Sequence, residues 1–344
     1  MLPPNVLTVV IPTYNRRELT LRAVRSVLEQ RDAPPLDVVV ADDGSTDGTA
    51  AAVCEAFADD ARVRVSLGAH RGASAARNRG FALARGELVA FLDSDDYWMP
   101  GVLRAMLAAF TAQPQLAFLC VDGATLPNGA QAAIPRIVAG DSPGWSHPRF
   151  RDVPLTTQFV DLPRHGRTRL ISGDFEPAIV LGDLFYLSGM LMRRDCVAAT
   201  GPFNERFRYY NDWEFFARLC AEGPGAYLEL DGFRRDTGRA DQISRRRPAT
   251  TLARRHLFIL RSLARRPDRA ARYRDALDTA LAEAHYAMAR RLSASTHPRW
   301  ANRYLDYCLK RRHRMLRSLA LRAGIPPPGD RIRQLSSDLL RATR

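Results

Sequence analysis

Lysine is almost absent from this 344-residue chain: Lys310 stands alone against 50 arginines. A preference this general is a composition bias, so choice of arginine over lysine carries no functional message at any one position. Long apolar runs are missing too. No window approaches eighteen uninterrupted apolar residues, and the N-terminus has no basic stretch followed by an apolar core. These absences argue against a helical membrane span and a secretory signal, and predict a cytoplasmic protein. Cysteines are few, odd in number and widely spaced: Cys54, Cys120, Cys196, Cys220 and Cys308. That pattern argues for reduced thiols rather than a disulfide framework. Neither a GxxxxGK[ST] phosphate loop nor a GxGxxG turn occurs, which disfavours a P-loop nucleotidase and a nicotinamide-dependent enzyme. His70, His147 and His165 show no metal-ligand spacing.

What the sequence does contain is a recurring junction of apolar run and polar turn. Residues 7–11 lead into Pro12-Thr13-Tyr14-Asn15-Arg16, and residues 38–41 lead into Asp42-Asp43-Gly44-Ser45. Residues 88–92 end in Asp93-Ser94-Asp95-Asp96. Short continuous apolar runs of this kind suit strands buried on both faces of a parallel sheet. Between them lie segments of helical period, such as Leu19, Ala23, Val24, Val27 and Leu28, then Ala52, Val53, Ala56 and Phe57. Alternating strands and helices predict a doubly wound α/β domain with a mostly parallel sheet, whose ligands bind just beyond the carboxyl ends of the strands. All three polar clusters fall there.

Charge divides the chain. Residues 245–344 carry 25 Lys plus Arg against 7 Asp plus Glu, whereas residues 1–244 carry 26 against 30. Helical apolar spacing also runs through the basic part, at Leu252, His256, Ile259, Leu260 and Leu263, then Tyr273, Leu277, Ala280, Leu281 and Ala284. The expected organisation is one α/β domain over residues 1–245 and a basic α-helical extension over residues 246–344. Basic amphipathic helices lie on anionic membranes or bind nucleic acid, and the same helices also occur as a plain appendage with a solvated face. Aromatic residues are not interleaved with the basic ones as a single-strand-binding surface requires, so nucleic acid is disfavoured.

The polar clusters suggest their chemistry directly. Carboxylates as crowded as Asp93, Asp95 and Asp96 repel unless a cation joins them, and hard oxygen ligands suit Mg²⁺ or Mn²⁺ with positions left for phosphate oxygens. Asp96 also reads as the cap of a helix opened by Tyr97, Trp98, Met99 and Pro100. Ser45 or Thr46 similarly reads as the N-cap of the helix after the second run. Asp42 or Asp43 could accept hydrogen bonds from a base or ribose, and Tyr14 could stack on a base or simply pack. Residues 70–80 offer Arg71, Arg77 and Arg79 near the same crevice, with Gly72 permitting close backbone approach.

Taken in order, residues 9–16, Asp42-Asp43-Gly44-Ser45-Thr46-Asp47, Gly72 through Asn78 and Leu92-Asp93-Ser94-Asp95-Asp96 resemble the motifs of family 2 glycosyltransferases with the GT-A fold. The resemblance covers roughly residues 5–245. It implies a nucleotide-diphosphate sugar donor (UDP-sugar favoured), a divalent metal and inversion at the anomeric carbon. Pro12, Thr13, Tyr14 and Asp43, with Asp42, resemble nucleoside-side positions; Arg16, His70, Arg77 and Ser94 complete the donor side. Asp93 and Asp95 resemble the DxD pair, Asp95 as the metal ligand and Asp93 nearer the ribose. Further on, residues 188–194 and Gly201-Pro202-Phe203-Asn204-Glu205 resemble the acceptor half, and residues 210–219 its Glu-Asp helix. There Asn211 replaces the first carboxylate, and Asp212 stands where the family places its catalytic base. Near Phe233-Arg234-Arg235-Asp236 many relatives carry a histidine that contacts metal or diphosphate in some; this chain offers Asp236.

The implied activity is transfer to a hydroxyl of a glycan or lipid-linked acceptor in surface polysaccharide synthesis, with the basic helices on the inner face of the cytoplasmic membrane. A non-catalytic module that binds nucleotide sugars or nucleic acid is the alternative. Residues 122–182, rich in Pro and Gly, read as an insertion or acceptor loop.

Overall fold

The structure is a computed structural model that describes residues 6–31, 33–127, 132–133, 155–162, 164–180, 184–237, 251–266, 271–293 and 298–310. The chain divides into two compact units, Met1–Arg246 and Arg247–Arg344.

Among the described residues, the first unit is built on one mixed sheet of eleven strands. β1 (Leu7–Thr13), β2 (Leu36–Asp42), β3 (Val63–Leu67) and β4 (Leu88–Phe91) run parallel in the order β3-β2-β1-β4. Every residue of β1 and β2 is buried, as expected of strands whose two faces are both covered. α1 (Arg17–Leu28), α2 (Thr49–Ala56) and α3 (Ala73–Ala82) make the connections. Their short buried stripes, such as Thr20, Ala23, Val24 and Val27 of α1, explain why modest amphipathic segments suffice to hold them. Register then fixes the crevice. Thr13 pairs with Asp42 at the ends of β1 and β2, the Asp43 amide donates to the Thr13 carbonyl at 2.8 Å, and the Leu92 amide donates to the Val10 carbonyl at 3.0 Å. The three polar junctions therefore open side by side.

After the carboxylate run the chain departs from the expected helix. Residues Asp96–Trp98 form strand β5, and α4 (Val102–Ala112) starts only beyond Gly101, whose φ of 83° suits glycine. Asp96 is thus no helix cap; pairing with a later strand outcompetes a local helix start. The second expected cap is displaced as well. α2 begins at Thr49 after Gly48, while Ser45 donates its amide to Asp42 Oδ1 at 2.6 Å and Asp47 Oδ1 accepts from the Thr49 amide at 3.0 Å.

Beyond β6 (Phe118–Pro127) and the short β7 (Ala132–Ala133), β8 (Leu155–Leu162) and β9 (Gly166–Gly173) form an antiparallel hairpin at the sheet edge. Part of the stretch read as an insertion is therefore regular sheet; residues 134–154, with Trp145, His147 and Phe150, lie outside the described residues. The acceptor half follows: α5 (Glu176–Ile179), a 3₁₀ turn at Leu187–Gly189, β10 (Met190–Arg193), α6 (Arg194–Thr200), α7 (Asn211–Leu219) and β11 (Gly225–Thr237). β10 runs antiparallel between β4 and β6, and β11 pairs with β6, β9 and β5. A core running from Leu7 through Leu191 to Phe233 joins the two halves.

The second unit contains α8 (Thr251–Ala264), α9 (Arg274–Ser293) and α10 (Pro298–Lys310). Leu257, Leu260 and Leu263 of α8 are buried, while Arg254, Phe258 and Arg261 follow one another at four- and three-residue steps on its exposed face, with exposed Arg265 just past its end. His285 of α9 is buried, stacks on Tyr307 with 3.7 Å between ring centres, and shares a 3.2 Å hydrogen bond with Arg261. All five cysteines are free thiols. None of the described helices is long and apolar enough to cross a membrane.

Candidate functional site

Four carboxylates and three guanidiniums act on one another electrostatically around the strand ends. Asp93 Oδ1 accepts from Arg77 Nη2 at 2.6 Å, and Asp95 Oδ1 lies 2.9 Å from Arg16 Nη1. Asp96 is buried and accepts from the Ser188 hydroxyl at 2.5 Å, while its other oxygen is buried without a partner. Asp212 reaches the same group from the start of α7. Its Oδ1 accepts the Trp213 amide at 2.9 Å, and its charge interacts with Arg77, Asp93 and Arg235. The fold thus brings together carboxylates more than a hundred positions apart.

These neighbours push the acids in different directions. Burial favours a protonated Asp93, but the charge and hydrogen bond of Arg77, with Arg235 and Arg16 behind, outweigh it and hold the carboxyl below its usual value. Burial and the charge on Asp93 raise Asp95 despite Arg16. Asp96 is raised well above the usual range by burial, then by Asp95 and Asp93. Asp212 is also raised, chiefly by burial, with Arg77 opposing. A carboxylate pair whose mutual repulsion raises one member is a place where a divalent cation relieves repulsion. Among the described residues no group of three or more His, Cys, Asp or Glu converges on one point. The set fits Mg²⁺ or Mn²⁺ that keeps water and phosphate oxygens in its shell, and not an all-protein cage.

Pro12 and Thr13 are buried in β1, and the Thr13 and Thr20 hydroxyls lie 2.7 Å apart. Tyr14 is exposed at the end of β1 and stacks on His70, with ring centres 3.9 Å apart. Asp42 is fully buried, with Oδ2 unpartnered. Asp43 holds the next loop: its oxygens accept the Arg71 amide at 3.0 Å and the Gly72 amide at 2.6 Å, and His70 Nδ1 lies 3.3 Å away. Gly72 has φ 96° with nothing near a would-be Cβ, so conformation rather than close approach selects glycine. Arg79 is turned from the crevice, donating to the Asp42 carbonyl at 2.6 Å, and Arg71 pairs with Glu205 at 2.6 Å. Ser94 is buried. Asp236 Oδ2 is 3.5 Å from Arg22 Nη2, which also donates to the Asp95 carbonyl at 2.9 Å.

Two residues gained no role from sequence. Ser188 hydroxyl accepts the Asp93 amide at 3.2 Å as well as donating to Asp96, and its carbonyl accepts the Trp98 indole N–H at 2.7 Å. Arg235 faces Asp96 across the β11–β5 ladder. Only pairing between distant strands reveals either one. Asn211 also acquires a reason: its amide donates to Ser74 Oγ at 2.7 Å and its Oδ1 accepts the Asp212 amide at 2.9 Å, so it ties α7 to α3. Tyr210, just before it, is held at φ 58°, a strained conformation of the kind that collects at functional sites.

Residues 8–169 match the family described as Glycosyl transferase family 2. Succinoglycan biosynthesis protein ExoU of Rhizobium meliloti is 31% identical over 225 residues, 64% of this chain and 58% of that protein, so the chain spans less than two thirds of that relative. Among solved structures, S. aureus TarS residues 1–349 in complex with UDP-GlcNAc superposes with a TM-score of 0.62 at 18% identity, covering 92% of this chain and 88% of the other. The mannosyltransferase PcManGT of Pyrobaculum calidifontis, in complex with GDP-Man and Mn²⁺, gives 0.53 at 18% identity, covering 92% and 85%. At these identities the structural likeness establishes the shared fold.

Proposed function

We propose that this chain, whose residues 8–169 match glycosyl transferase family 2 and whose fold is that of GT-A neighbours, is a member of that family and moves a sugar from a nucleoside-diphosphate donor to an acceptor hydroxyl with inversion. The observation that carries the reading is the half-buried Asp212 at the start of α7, whose carboxyl interacts with the Arg77–Asp93 pair, a proton acceptor set against a phosphate-binding corner. A UDP-sugar is the favoured donor, as TarS is seen with UDP-GlcNAc. A glycan or lipid-linked chain of a surface polysaccharide is the acceptor class, in keeping with the succinoglycan relative.

In this reading Tyr14, His70 and Asp43 wall the nucleoside, with Pro12, Thr13 and Asp42 beneath. Arg16, Arg77 and Ser94 border the diphosphate and ribose. A divalent cation held by Asp95 with Asp93, and with Asp236 as a further ligand, would supply neutralisation of the departing diphosphate. Asp212 takes the proton from the acceptor hydroxyl as that oxygen attacks the anomeric carbon from the face opposite the leaving group. One in-line displacement inverts the centre and needs no covalent nucleophile. The guanidinium of Arg77 faces the side where negative charge grows.

The decisive experiment incubates the full chain with UDP-, GDP- and dTDP-sugars and Mg²⁺ or Mn²⁺. Release of one nucleoside diphosphate is expected, dependent on metal and lost in Asp95→Ala. Absence of both turnover and metal-dependent binding for every donor would move the assignment to a non-catalytic module.

The exposed stripe of Arg254, Phe258 and Arg261 on α8, with Arg265 just past its end, supports a second element of the proposal, a peripheral contact with the anionic inner face of the cytoplasmic membrane. Co-sedimentation with phosphatidylglycerol vesicles, reversed by about 0.5 M salt as surface charges are screened, is the expected result; equal binding to neutral vesicles contradicts it.

A further inference from the structure

Helix α3 carries more than the donor-side arginine. Ser74 and Arg77 lie three positions apart, hence on one face of α3, and both are buried. Arg77 donates to Asp93, and its charge also acts on Asp212. Ser74 reaches Asp212 by a different route. The side-chain amide of Asn211 donates to Ser74 Oγ at 2.7 Å, and Asn211 Oδ1 accepts the backbone N–H of Asp212 at 2.9 Å. One buried side chain thus joins the donor-side helix to the backbone of the proton acceptor.

The loop before α7 is attached to α3 without this link. Asn78 Oδ1 accepts the Phe203 amide at 2.8 Å, and Asn78 Nδ2 donates to the Phe203 carbonyl at 3.0 Å and to Glu205 Oε1 at 3.1 Å. Those bonds act eight residues ahead of α7 and leave the rotation of its first turn open. Tyr210, at the cap position, has φ 58°, and among the described residues no side chain caps the helix. A non-glycine residue keeps that conformation only where its surroundings hold it. The Ser74–Asn211 bond grips the chain at the next residue, where the direction of the Asp212 side chain is set. An amide suits this position better than a carboxylate. It offers a donor to Ser74 and an acceptor to Asp212 at once, and it puts no second negative charge beside Asp212.

We propose that Ser74 is a positioning residue for the base Asp212, acting through Asn211, so that the proton acceptor is held in register with the helix that borders the donor; this rests on the glycosyl-transfer reading above.

The test follows nucleoside-diphosphate release from UDP-, GDP- and dTDP-sugars with Mg²⁺ or Mn²⁺ in the full chain, in Ser74→Ala, in Asp212→Asn and in the double variant. Calorimetric titration with the same donors accompanies it. Alanine is the better helix former, so α3 is kept. Ser74→Ala is expected to lower kcat about 10–100-fold, the scale of loss when a reacting group is misplaced by about 1 Å, with donor KM and donor affinity unchanged. In the Asp212→Asn background the same substitution should change nothing further, because its effect passes through the base. A folded Ser74→Ala with wild-type kcat overturns the assignment. So does a loss of equal size in both backgrounds, which is the mark of general loosening. Should Ser74→Ala fail to fold, Asn211→Ala opens the link from its other end and is judged by the same two comparisons. An Asp212→Asn that keeps the wild-type rate removes the base, and the assignment with it, while transfer stands. A wild type that releases no nucleoside diphosphate overturns the assignment, and one that also binds no donor overturns the transfer reading with it.

Discussion

Asp212→Asn is expected to lower transfer by on the order of 10²–10⁴, the usual contribution of a positioned general base, while donor affinity changes little. The amide is isosteric and still accepts the Trp213 N–H through its oxygen, so the start of α7 is kept. What is lost is the ability to hold the acceptor's proton. The pH profile gives a sharper test than the rate. Burial raises the Asp212 carboxyl above its ordinary value, against the pull of Arg77. A base must be deprotonated to act, so kcat/KM of the wild type should fall on the acid side at a pH above the ordinary carboxylate value of about 3.9. In Asp212→Asn that acid limb should vanish from the residual rate. A variant that keeps both the rate and the limb would remove Asp212 from the chemistry and return it to the helix start.

The parallel half of this fold was legible in the sequence because its signals are local. Apolar runs such as Val38-Val39-Val40-Ala41 have one stable use, a strand covered on both faces, and all of β2 is indeed buried. The carboxylates at the strand ends were legible for the same reason, since topology places strand ends at the crevice. Local rules failed where distant pairing competed with them. Asp96 to Trp98 carried a plausible helix start, but three residues gain more by pairing with Phe233, Arg234 and Arg235 across the sheet. No window around residue 96 contains that partner. Ser188 and Arg235 were hidden likewise: a serine before an apolar strand and one arginine among 50 acquire meaning only through register. The β8–β9 hairpin was missed because Pro and Gly around it weighted the whole stretch toward loop.

Arg77→Ala is expected to cost the fold about 2 kcal/mol at neutral pH and less in acid. Removing one partner of a buried ion pair costs about 3–5 kcal/mol, because the other charge is stranded. Here 35% of the Asp93 side chain remains exposed, and water screens part of that penalty, which brings it down to about 2 kcal/mol. The sign with pH follows from the direction of each shift. Asp93 is held below its unfolded value in the wild type, so its contribution is present above the unfolded value and lost as pH falls through the lowered folded one. Without Arg77 that contribution is absent at neutral pH. Asp212, already raised, loses its chief opposing charge and rises further, adding a neutral-pH penalty that protonation relieves. Both effects shrink the gap between wild type and variant on acidification. Urea midpoints at pH 7 and at about pH 3, below the unfolded carboxyl value of about 3.9, measure that gap. Were it to stay constant, the contribution of Arg77 would lie in its packing, with the guanidinium carbon 5.5 Å from the Phe203 ring, and not in the charge that ties the donor corner to the base.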